Sequence, residues 1–173
     1  MGQNNEEKVT WLFYENPSER FYLRQIARLT KVPKSTVQRL LPKLIKEGLI
    51  TKEGSKPVDY YRANTTNFYY KLNKRNAMIL KIYQSGLVEY IRNKLNPECI
   101  ILFGSISKGE YDHKSDIDIF VQAEETSVKL EKFETKLKHK INLFFETSFK
   151  NLSKELFNNI INGYKLEGFI RLE

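Results

Sequence analysis

Two aspartates, Asp116 and Asp118, lie two residues apart in Ser115-Asp116-Ile117-Asp118-Ile119-Phe120-Val121, a segment that otherwise reads as a buried strand. Side chains alternate along a strand, so both carboxylates point to one face while Ile117, Ile119 and Val121 point to the other. Like charges held that close repel unless a cation lies between them, and hard carboxylate oxygens suit Mg²⁺. The pair is therefore predicted to hold Mg²⁺. Upstream, the apolar run Cys99-Ile100-Ile101-Leu102-Phe103 stops abruptly at Gly104-Ser105. A short helix opening over Ser105 to Lys108 would turn free backbone N–H groups and a positive dipole end toward an anion. Gly104 lets the backbone approach a phosphate closely, the Ser105 hydroxyl can donate to a phosphate oxygen, and Lys108 can neutralise it as a point charge. A phosphate cradle beside a metal pair describes a nucleotide site.

The elements needed to place these groups are legible around them. Glu98–Phe103 reads as a strand, followed by the turn, a short helix and the aspartate strand. Ser127 to Lys138 has helical patterning, Lys140 to Phe145 reads as the next strand, and Leu152 to Asn162 as an amphipathic helix ended by Gly163. Tyr164 to Leu172 is predicted to be a closing strand. The result is a mixed sheet flanked by helices.

Gly104, Ser105, Gly109, Ser115, Asp116 and Asp118, with their apolar flanks, resemble the DNA polymerase beta-like nucleotidyltransferase superfamily, and within it the minimal nucleotidyltransferase type. The resemblance implies that Gly104 and Ser105 hold a triphosphate, with ATP the first nucleotide to consider, and that Asp116 and Asp118 bind Mg²⁺ and are catalytic. The implied reaction adds a nucleoside monophosphate to an acceptor hydroxyl and releases pyrophosphate. The chain departs from the family in two places. Where relatives supply a third carboxylate from the next strand, this chain has Asn142, which can coordinate a hard cation but carries no charge and cannot act as a general base. Glu146 shares that strand face but lies about 13 Å further along, too far to replace it easily. Where many relatives carry two arginines after the turn, this chain has Ile106 and Lys108. With two histidines and one cysteine, zinc has almost no ligands to draw on, and His113 reads as loop.

Residues 22 to 62 resemble a winged helix-turn-helix of the kind found in many prokaryotic transcription regulators. Leu23, Ile26, Ala27 and Leu29 fall at near-helical spacing, Lys31-Val32-Pro33 makes a turn, and Val37, Leu40, Leu41 and Leu44 form the inward stripe of a second helix stopped at Gly48. Leu49–Lys52 and Val58–Arg62 are β-prone runs around a turn-rich tip, the wing. Such proteins lay the second helix in the major groove. Lys34, Ser35, Thr36, Gln38 and Arg39 are the predicted base-facing residues, with Lys43, Lys52 and Lys56 near phosphates. Residues 31–62 hold eight Lys or Arg against three acids, so five of the formal charge of +8 concentrate there. Pro42 opposes a continuous helix, and predicts either a kink or an early end.

The chain of 173 residues fits two small domains. The sequence divides into a winged helix-turn-helix over 1–66, connecting helices over 67–96 interrupted near Ser85-Gly86, and a nucleotidyltransferase domain over 97–173, an α+β protein overall. No apolar run is long enough for a membrane span, and the Asn- and Glu-rich start lacks secretory character. Cys99, the single cysteine, fits a structural thiol in a reducing cytoplasm. Double-stranded DNA, a nucleoside triphosphate and, on palindromic sites, a second copy of the chain are the expected partners. The expected function is Mg²⁺-dependent nucleotide binding and transfer to an unknown acceptor, coupled to DNA binding; the alternative is a transcription regulator whose nucleotidyltransferase domain senses a nucleotide without chemistry.

Overall fold

The computed structural model describes residues 4–54 and 59–171. The chain forms two compact units, Met1–Lys74 and Arg75–Glu173. The first unit opens with helix α1 (Asn5–Glu15), started by a reciprocal cap in which the Glu7 N–H donates to Asn4 Oδ1 and the Asn4 N–H to Glu7 Oε2. Val9 and Phe13, one turn apart, are fully buried. Strand β1 (Arg20–Phe21) leads into α2 (Leu23–Thr30), a turn through Lys31, and α3 (Lys34–Lys46). Strands β2 (Ile50–Glu53) and β3 (Tyr60–Ala63) form an antiparallel hairpin, and β1 pairs with β3 to complete a sheet of order β1-β3-β2. Two helices and a wing hairpin are therefore present as read, with α1 and β1 added. Predicted phosphate contact Lys56 lies outside the described residues.

Pro42 neither ends nor shortens α3, which runs on to Lys46. An interior proline costs about 3 kcal/mol. Against this, Val37, Leu41 and Leu44 are all at most 2% exposed, and each such buried side chain contributes roughly 1.5–3 kcal/mol. Pro42 itself is exposed, so water can serve the carbonyl of Gln38 that the proline leaves unpaired. Helix α4 (Phe68–Ser85) begins in this unit, where the Tyr70 hydroxyl donates to the Phe13 carbonyl and the Tyr14 and Tyr70 rings meet edge to face.

Gly86, at φ 84°, breaks the helical run before α5 (Leu87–Leu95). Strand β4 (Cys99–Phe103), helix α6 (Gly104–Lys108), strand β5 (Ile117–Val121), helix α7 (Glu131–Leu137), strand β6 (Ile141–Phe145), helix α8 (Lys154–Ile161) and strand β7 (Tyr164–Gly168) follow, with a short 3₁₀ turn at Phe149–Asn151. The sheet order is β6-β5-β4-β7, with β5 and β6 parallel and the other pairs antiparallel. All five residues of β4 are buried, as its unbroken apolar run requires. On one face Cys99, Ile101, Phe103 and Phe120 pack with Phe149 and Ile160, and Leu152, Leu156 and Phe157 cover them.

Helix α7 starts four residues later than its sequence predicts. Ser127 to Leu130 instead run as loop: the Ser127 carbonyl accepts from Lys94 Nζ, and the Lys129 N–H donates to the Tyr90 hydroxyl. The last strand ends at Gly168 rather than Leu172. Among the described residues, no helix is long and apolar enough to cross a membrane.

Candidate functional site

Asp118 and Asn142 are direct partners in the parallel β5–β6 register, and Asp118 is also paired with Phe103 of β4. Asp116 stands immediately before β5. These pairings bring the turn at Gly104, both aspartates and Asn142 to one end and one face of the sheet, and all four residues are partly exposed. Asn142 Nδ2 lies 3.2 Å from Asp116 Oδ2 and 3.0 Å from Asp118 Oδ1, so one amide group donates to both carboxylates. Their oxygens are thus at most about 6 Å apart, and at an effective dielectric of about 20 their repulsion is roughly 3 kcal/mol. Two hydrogen bonds to charged acceptors, each worth about 1.5–3 kcal/mol, offset that repulsion without a cation. The amide does part of the work that a metal would do.

The same geometry fits Mg²⁺. Two carboxylate oxygens converge on one point, and a hard ion that keeps several waters needs few protein ligands. Rotation of the Asn142 amide would turn its carbonyl oxygen to that point. Among the described residues, no group of three or more His, Cys, Asp or Glu gathers to hold a metal. Glu146 takes no part, since it lies beyond β6 and accepts from Asn151 Nδ2.

Gly104 is demanded twice over. Its φ is 72°, and a Cβ built on it would lie 2.5 Å from Asp118 Oδ2. The turn and the carboxylate are therefore in contact, as a shared ligand requires. Ser105 is partly exposed in the first turn of α6, and Lys108 is exposed at its end. Ile106, in place of an arginine, is fully buried and faces the core.

The loop from Gly109 to Ser115 is tied down from within. Asp112 Oδ1 accepts from the Lys114 N–H, which with the Ser115 contacts holds the Asp112 carboxyl below the usual carboxylate range, and the Asp112 N–H donates to Ser115 Oγ. His113 is exposed in this loop, as read. The other histidine, His139, was not legible as a participant. It is 5% exposed, its Nδ1 lies 2.6 Å from the Ser115 carbonyl oxygen, and its ring meets Tyr111 edge to face. Phe144 was also missed: it shares the Asn142 face of β6, packs edge on against Phe103, and keeps 38% of its surface exposed. A cleft of about 360 Å³, lined by Glu98, Gln122, Phe149 and Lys150 among others, lies at the opposite end of β4 and β5.

In the first unit, Lys34, Ser35, Gln38 and Arg39 are exposed on α3, and Thr36 is partly so. Ser35, Gln38, Arg39 and Pro42 share one helical face, opposite Val37, Leu41 and Leu44. Lys34 and Arg39 form no ion pair among the described residues, whereas both predicted phosphate contacts that can be placed do. Lys43 Nζ pairs with Glu6 at 2.6 Å and with Glu47 at 3.8 Å, and Lys52 pairs with Asp59 at 2.8 Å. Each of these lysines is about half exposed, so a phosphate can exchange for its acid partner.

Residues 86–166 match the family model described as Polymerase beta, Nucleotidyltransferase, a span that includes every residue of the candidate nucleotide site. Residues 16–54 match the IclR helix-turn-helix domain, a span that includes α2 and α3. No curated protein and no solved structure matches the chain. The protein thus joins an N-terminal helix-turn-helix domain of the IclR type to a C-terminal nucleotidyltransferase domain of the polymerase beta type.

Proposed function

We propose that the protein is a DNA-binding regulator whose nucleotidyltransferase domain holds a Mg²⁺–nucleoside triphosphate without transferring it. The Asn142 amide, standing opposite Asp118 and donating to both aspartates, carries this reading. An amide at that position steadies the carboxylates but accepts no proton from an acceptor hydroxyl. Asp116 and Asp118 would hold the ion with the Asn142 carbonyl turned inward, and the ion, when bound, would neutralise triphosphate oxygens. Gly104 and Ser105 would cradle the phosphates, with Lys108 nearby as a point charge and Phe144 offering an aromatic surface on the same strand face. Lys34, Ser35, Thr36, Gln38 and Arg39 would enter the major groove, with Lys43, Lys52 and Lys56 on phosphates. ATP is the nucleotide to test first, and a protein with DNA and a nucleotide as partners would work in the cytoplasm.

The retained aspartate pair supports a second reading, nucleotide transfer. An acceptor oxygen would bond to the α-phosphorus, the bond to the bridging oxygen would break, pyrophosphate would leave, and the acceptor proton would pass to an aspartate. The two readings separate in one experiment on the full chain. Labelled ATP and Mg²⁺ are added to the wild type and to Asp116→Ala, and nucleotide binding, pyrophosphate release and affinity for duplex DNA are measured. The regulator reading expects binding that Asp116→Ala abolishes, a change in DNA affinity with nucleotide, and no pyrophosphate. Pyrophosphate or label transfer that Asp116→Ala abolishes favours the enzyme. A wild type that ignores ATP overturns both.

A further inference from the structure

We propose that His139 is the positioning residue of the nucleotide site, holding the loop that delivers Asp116 against the strand that carries Asn142. Asp116 lies outside β5 and owes no ladder bond of that strand to its placement. Its carboxylate is aimed by what fixes the residue before it. Ser115 is held at its carbonyl by His139, whose Nδ1 sits at 2.6 Å and must carry the proton, because a carbonyl oxygen can only accept. Two residues after His139 begins β6, and the intervening Lys140 carbonyl accepts from the Ile117 N–H at 2.8 Å. The two loops are therefore stitched on both sides of Asp116, by His139 to Ser115 and by Lys140 to Ile117. Tyr111, fully buried, closes against the imidazole and fixes its plane. A shift of this stitch moves Asp116 relative to Asn142, whose amide is within reach of the aspartate only at 3.2 Å.

The proposal rests on the nucleotide-binding reading for its consequence, but the stitch is measurable without nucleotide. Asparagine places an amide nitrogen near the position of Nδ1, and glutamine near that of Nε2, so the pair separates donor position from polarity and size. The side-chain amide signal of Asn142 and the backbone amides of Asp116 and Ile117 are followed by ¹⁵N spectroscopy in the full-length wild type, His139→Asn and His139→Gln. Mg²⁺–ATP affinity is titrated in the same samples. His139→Asn is expected to keep the wild-type signals and affinity. His139→Gln is expected to shift the Asn142 and Asp116 signals and to weaken Mg²⁺–ATP about tenfold, the scale of one lost hydrogen bond. The proposal is overturned if a folded His139→Gln leaves the Asn142 and Asp116 signals in place, or if both variants shift them equally. Should the wild type bind no ATP while the signals respond as expected, the nucleotide reading falls and the stitch stands.

Discussion

Substituting Gly104 by alanine tests the contact between the turn at Gly104 and the Asp118 carboxylate. Two costs are separable in the structure. The φ of 72° puts any side chain in the left-handed region, which costs about 1–2 kcal/mol. The new methyl group would also lie 2.5 Å from Asp118 Oδ2, a distance that forces the carboxylate aside and breaks its bond to Asn142. That hydrogen bond to a charged acceptor is worth a further 1.5–3 kcal/mol or so. In an Asp118→Ala background the carboxylate is gone and the same methyl group meets only the Cβ of residue 118, at 3.5 Å, an ordinary contact. Gly104→Ala is therefore expected to cost roughly 2.5–5 kcal/mol alone and only about 1–2 kcal/mol in the Asp118→Ala background, a coupling that a double-mutant cycle isolates. Two units make global unfolding a poor monitor, so local stability is read from hydrogen exchange of the Leu102 and Ile119 amides. Equal costs in both backgrounds would refute the contact between turn and carboxylate, and no cost in either would refute the backbone conformation.

Asn142→Asp adds a third negative charge and removes the amide donors. It should lower the melting temperature in chelator and raise it on adding Mg²⁺ by more than in the wild type, as thermal scans under both conditions would record. Lys34→Ala and Arg39→Ala, at base-facing positions, should weaken duplex binding and relax its sequence preference, whereas Lys43→Ala and Lys52→Ala should weaken binding to all sequences alike and reduce the salt slope by less than about one, because each lysine is already paired with an acid; anisotropy titrations over a salt series on two duplex sequences decide. Burial pushes the Cys99 thiol from its ordinary 9.0 up to about 11, and the Tyr14 hydroxyl from 10.0 up to about 12. Folding keeps both groups protonated, so their contribution is complete below pH 9 and is lost as pH rises toward 12, visible as falling stability in denaturant titrations across that window.

What the sequence made legible is local. Cys99 to Phe103 is apolar throughout and ends at a glycine, so β4 and the turn could be placed by inspection, and the spacing of Asp116 and Asp118 put both on one face. Of the two outcomes Pro42 allowed, the early end is excluded, because burial of Val37, Leu41 and Leu44 is a tertiary effect that outweighs the local rule. The late start of α7 has the same origin, since Lys94 and Tyr90, far away in sequence, claim the backbone of Ser127 and Lys129. Helix α1 was missed although its signal was present in Asn4 and Glu7, a capping box followed by apolar residues one turn apart. At the site, the position of Asn142 was legible, but its donation to both aspartates was not. That bond and the one from His139 to Ser115 depend on the β5–β6 register, a pairing across residues widely separated along the chain.

Opposite Asp118 the register leaves one amide nitrogen where an acid oxygen would complete a charged trio. Asparagine and aspartate codons differ by a single base, and everything else around that spot, from the glycine bend to the histidine clasp, stays as it is. One base change would thus put a carboxylate opposite Asp118 and let the same scaffold report whether a third acid alone alters its chemistry.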